Sequence, residues 1–62
     1  PSTATSLNNL GVLCYDEGNL PDAAAYMRRA LAIRERVLGP QHPDTRQSRA
    51  NLDAIEAAMG ED

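Results

Sequence analysis

The chain has 62 residues, 42% of them hydrophobic, with two tyrosines and neither Phe nor Trp. It is one small unit, close to the size below which a core needs staples. A formal net charge of −3 argues against a general nucleic-acid or anionic-membrane binder, which would carry a basic excess. The single Cys14 excludes an internal disulfide and a cysteine metal set, and no apolar run approaches the ~20 residues of a bilayer span. A reducing, cytoplasmic setting is the default expectation, and the opening at Pro1 without a methionine suggests a piece of something longer.

The first predicted element is a helix over about 3–17. Pro1-Ser2-Thr3 offers a cap and a first-turn proline, and Leu7, Leu10, Val12, Leu13 and Cys14 recur mostly at three- and four-residue spacing. Gly18-Asn19 stops it, since both residues tolerate the left-handed conformation of a C-terminal cap. Pro21-Asp22 then starts a second helix, predicted over about 21–38, with an acid against the positive end of the helix dipole. Ala23, Met27, Ala30 and Leu31 form its stripe, and Gly39-Pro40 ends it. Two antiparallel helices approach closely only where side chains nearly vanish, and Gly11 and Ala23 are placed to supply that contact. The expected packing set is therefore Leu7, Leu10, Gly11, Cys14, Ala23, Met27 and Ala30.

His42-Pro43-Asp44-Thr45 repeats the entry chemistry, and a third helix is predicted over about 43–59, ending at Gly60. Leu52, Ile55 and Met59 hold helical period there. Its first half, Arg46 to Ala50, carries almost no apolar surface. Sliding the chain on itself by 42 residues aligns Pro1 with Pro43, Thr3 with Thr45, Ser6 with Ser48, Asn9 with Asn51 and Leu10 with Leu52. Val12 and Leu13 fall on Ala54 and Ile55. Such a period marks a repeat architecture, and the third helix is the first helix of a second copy.

The spacing Leu7-x2-Leu10-Gly11-x2-Cys14, then Ala23-x3-Met27-x2-Ala30, resembles the tetratricopeptide repeat. The 42-residue period, with Leu-Asn-Asn-Leu-Gly, Arg-Ala-Leu-Ala-Ile-Arg-Glu and Leu-Gly-Pro-Gln-His-Pro-Asp-Thr, is similar to the kinesin-light-chain type of that repeat. Leu7, Cys14 and Met27 stand where the family pattern has aromatics, so a softer core is expected. In the second copy Arg49, Asp53 and Glu56 replace Leu7, Gly11 and Cys14, which suits a solvated terminal helix.

The resemblance implies an all-α solenoid of three antiparallel helices, one and a half repeats, that serves as a protein–protein interaction scaffold. It implies that first helices line a concave groove for an extended peptide. That places Thr5, Asn8, Asn9, Val12, Tyr15, Asp16 and Asn51 toward the groove, where asparagine offers a donor and an acceptor to a peptide backbone. The plainer alternative is that Asn9 and Asn51 bridge helices or meet solvent. Arg28, Arg29, Arg34 and Arg36 read as a solvated face with weak ion pairs.

No enzyme, cofactor or metal signal survives. Cys14 reads as filler without a motif to lower its pKa, His42 as a helix-entry residue, and the four glycines as scattered helix ends and one packing site. The rival is a structural element whose copies self-associate through an uncovered flank near Leu7, Leu10, Met27 and Leu31. A three-helix DNA-binding unit shares the helix count. It fails on net charge, and on Asp53 and Glu56 in the third helix.

Overall fold

The computed structural model describes residues 3–60, and the expected Pro1-Ser2 entry lies outside them. Three helices follow one another: α1 (Thr3–Asp16), α2 (Leu20–Val37) and α3 (Pro43–Met59). No strand occurs among the described residues. The fold is the expected all-α arrangement.

Glycine ends the first two helices. Beyond α1 the Asn19 N–H donates to the Cys14 carbonyl at 2.8 Å and the Gly18 N–H to the Tyr15 carbonyl at 3.0 Å. This crossed pair needs a left-handed residue, which Gly18 supplies at φ +81°. Gly39, at φ +91°, ends α2 with a different pattern, its N–H and that of Leu38 both donating to the single Arg34 carbonyl.

Helix α2 starts at Leu20, one residue before Pro21, because the Asn19 carbonyl already accepts from the Ala23 N–H at 3.0 Å. The Asn19 side chain does not cap it and instead donates to Asp22 Oδ2 at 2.9 Å. Helix α3 is capped by His42, whose Nδ1 accepts from the Asp44 N–H at 3.1 Å.

Helix α2 is the central element, packed on α1 along one side and on α3 along the other, while α1 and α3 touch only sparsely. The Cα atoms extend over 34 × 21 × 13 Å, a flattened body. Its core is consequently a double seam along α2: Ala23, Ala24, Met27 and Leu31, with Leu52 and Ile55 from α3 and half-buried Cys14 from α1. The α1 seam is tight at Gly11. A Cβ there would lie 3.0 Å from both Met27 Cγ and Cε and 3.3 Å from the Ala23 carbonyl oxygen. Glycine is what lets the two backbones meet.

The α2–α3 seam is different in kind. Thr45 and Ser48 are fully buried, so the half of α3 that lacks apolar residues packs tightly with small hydroxyl side chains. Their partner is Arg34, only 9% exposed. Its Nη1 donates to Ser48 Oγ at 2.7 Å and to the Asp44 carbonyl at 3.3 Å. Thr45 Oγ1 in turn donates to the Arg34 carbonyl at 3.2 Å. Arg34 therefore corrects the expectation of a uniformly solvated arginine face. It is a buried latch, whereas Arg28, paired with Glu56 at 3.0 Å, is exposed as expected.

Candidate functional site

A groove of about 200 Å³ opens between α1 and α3 on the side where α2 forms its floor. Val12 and Tyr15 line one wall, Asn51 and Ala54 the other, with Met27 and Ile55 at the base. The helical repeat explains the walls. Positions 12 and 15 stand one turn apart on α1, and 51 and 54 one turn apart on α3, so each pair projects on a single face. Val12 and Tyr15 are 41% and 44% exposed, enough for a ligand to cover them.

The expected groove residues divide. Val12, Tyr15 and Asn51 come together in this groove. Asn8 reaches it through Asn51, whose Nδ2 donates to Asn8 Oδ1 at 3.5 Å. This helix-bridging contact uses Asn8, where the plainer alternative had named Asn9. Asn9 and Asp16 are exposed and line neither this groove nor the other principal cleft. Thr5 belongs to that second cleft, about 150 Å³, with Ala4, Ile33, Arg34, Val37, Leu38 and Asp44. Met27 and Ile55 were missed as groove floor. Their apolar period marked them as core, and only the gap between α1 and α3 leaves them within reach of a ligand.

The packing set also divides. Leu7, Gly11, Ala23, Met27 and Ala30 are buried and Cys14 is half-buried. Leu10 is 42% exposed and stands outside the core, with Leu13 at 53% one turn along. The uncovered apolar flank is therefore the Leu10–Leu13 edge of α1. Leu7, Met27 and Leu31, expected near that flank, are covered within the chain.

The groove carries little charge chemistry. Partial burial, with Asp22 and Glu17 nearby, raises the Cys14 thiol above its usual pKa, which disfavours the reactive thiolate. Among the described residues there is no cluster of three or more His, Cys, Asp or Glu side chains placed to hold a metal ion. No helix among them is long and apolar enough to cross a membrane. What the groove offers is an apolar floor with amide and phenol groups on its rim, an arrangement suited to holding a side chain while hydrogen-bonding the backbone beside it.

A family model described as tetratricopeptide repeat matches residues 3–44, a span equal to the 42-residue internal period. No curated protein and no solved structure matches the chain.

Proposed function

Since the chain belongs to the tetratricopeptide repeat family, whose members mediate protein–protein interactions, we propose that it contributes a peptide-docking face to a helical repeat scaffold. The observation that carries this is the groove between α1 and α3. At about 200 Å³ it is smaller than the roughly 300–1,000 Å³ of pockets that engulf a small molecule. It suits one apolar side chain of an extended segment, seated on Met27 and Ile55. Asn51 and Asn8 then face the segment's backbone, with Asn9 and Asp16 as solvent-side contacts. The 42-residue period favours the kinesin-light-chain type of array, and the unpaired Cys14 fits a cytoplasmic host.

Helix α3 closes the stack in this proposal. Where α1 offers Ala4, Leu7, Gly11 and Cys14 to α2, α3 has Arg46, Arg49, Asp53 and Glu56. A charged outer side is what a terminal repeat needs to stay soluble.

The test is selection of peptides from a random display library on the full chain, followed by titration of the selected peptides. Tyr15→Ala and Asn51→Ala are expected to weaken binding about tenfold each, a loss of roughly 1–2 kcal/mol per contact. Selected peptides that bind both variants as tightly as the parent would sink the proposal. Self-association remains a second reading because the Leu10–Leu13 edge is exposed. Sedimentation equilibrium decides it, since a chain that is monomeric at every concentration has no such interface.

A further inference from the structure

Helix α3 begins on a residue whose capping form depends on a proton. Helix starts are usually capped by a Ser, Thr, Asp or Asn oxygen. Here the acceptor is an imidazole nitrogen: His42 Nδ1 accepts from the Asp44 N–H at 3.1 Å, on extended backbone at φ −64°, ψ 140°. An imidazole accepts at Nδ1 only when it is neutral and carries its proton on Nε2, whereas both nitrogens of imidazolium are donors. Protonation therefore leaves the Asp44 N–H without its acceptor.

Asp44 is also where α3 is tied to α2. Its carbonyl accepts from Arg34 Nη1 at 3.3 Å, and the same nitrogen donates to Ser48 Oγ one turn on. Thr45, the next residue, donates to the Arg34 carbonyl. Cap and latch thus share one turn of helix. Since α1 and α3 touch only sparsely, the hold on α3 comes from α2.

The charges at this end favour the neutral ring. A proton on His42 adds positive charge at the positive end of the α3 dipole. The last turn of α2, joined to His42 by the uncharged residues 38–41, carries Arg34 and Arg36. Arg46 follows within the first turn of α3, and α1 has no charged residue before Asp16. Against these stands the Asp44 carboxylate, which is exposed and screened by solvent.

We infer that His42 is a proton-sensitive clasp: the neutral ring holds the first turn of α3 against α2, and the protonated ring releases it. The neutral ring is the capping form, so its contribution is full above the ordinary histidine range near about 6.5 and is lost as pH falls below it. His42 is the chain's only histidine, and carboxylates ordinarily titrate at about 4, so it dominates the response in between. Because α3 supplies the Asn51 and Ala54 wall of the groove, acid loosens that wall as well. The inference does not depend on what the groove binds.

The experiment compares thermal melting of the 62-residue chain, His42→Asn and His42→Ala at about pH 7.5 and about pH 5.5, on either side of the histidine range. Asparagine caps without titrating, and alanine does not cap. The parent chain is expected to melt about 5 °C lower at the acid pH, the shift that loss of one cap gives in a domain of this size. His42→Asn should hold its melting point across the interval. His42→Ala should melt at the higher pH near the parent's acid value and fall no further. Imidazole nitrogen shifts of the parent at the higher pH should place the ring proton on Nε2. A parent equally stable at both pH values, or a His42→Asn chain that falls as far as the parent, overturns the inference. So does a His42→Ala chain as stable as the parent at the higher pH, or a neutral ring that carries its proton on Nδ1.

Discussion

Arg34 and Arg28 lie on one helix, six residues apart, and should respond to mutation very differently. Arg34 is buried and charge-bonded to Ser48, so Arg34→Ala leaves a hydroxyl and a carbonyl without their donor. The expected loss is about 2–3 kcal/mol in urea-midpoint measurements, against less than ~1 kcal/mol for Arg28→Ala, whose pair with Glu56 is open to solvent. Equal losses would contradict the latch. Gly11 is the other residue with a large expected effect. Gly11→Ala gains about 1 kcal/mol of helix propensity, but its methyl meets buried Met27 at 3.0 Å and the Ala23 carbonyl at 3.3 Å. Overpacking costs typically 1–3 kcal/mol, so a net destabilisation of about 1 kcal/mol is expected from thermal or chemical melting. For Cys14 the raised pKa stabilises the fold below the thiol's unfolded pKa and is lost as pH rises through the folded one. Alkylation near the ordinary thiol pKa of about 8.5 should accordingly be slower in the folded chain than in urea.

At the scale of elements, α2 holds the other two helices, and polar bonds from its own stop and from α3 meet at its C-terminal end. The Arg34 carbonyl accepts from Leu38, Gly39 and Thr45, which joins the helix stop to the first turn of α3. Gly39→Ala places a side chain at φ +91° and should cost about 1–2 kcal/mol. The loss should appear as faster amide exchange in both the last turn of α2 and the first turn of α3. Disturbance confined to α2 would show that the junction is less coupled than its hydrogen bonds suggest. Helix α2 should also hold the slowest-exchanging amides of the chain, because α1 and α3 each have one packed side and α2 has two.

At the scale of the molecule, the chain is a double seam whose open surfaces differ in character. The groove between α1 and α3 combines an apolar floor with asparagine and tyrosine, which suits a transient extended ligand. The Leu10–Leu13 edge is aligned with a surface, Leu52 and Ile55, that is buried elsewhere in the same chain. About three repeats are needed before a solenoid is independently robust, so the 62-residue chain should be only marginally stable. The double variant Leu10→Ser, Leu13→Ser should leave its melting point nearly unchanged while raising the concentration at which it aggregates, measured by light scattering. A marked fall in melting point would mean that these leucines already pack within the folded monomer.

The sequence by itself determined the three helices and their order, because glycines and prolines fall at the breaks and apolar residues recur with helical period between them. It also determined the close approach at Gly11, since glycine on an apolar stripe has few other reasons to be there. Three of the groove residues, Val12, Tyr15 and Asn51, were legible from the family pattern. The burial of Arg34 was written only faintly. It continues the Ala23–Met27–Ala30 spacing, and the matched Thr45 and Ser48 on the facing stripe called for a polar partner. Helical period assigns a residue to a face, but which neighbour covers that face depends on where the chain has placed its other helices. That is why Leu10 and Leu52, aligned and identical in the sequence, end on opposite sides of the boundary between solvent and core: tertiary structure set α2 against one of them and left the other open.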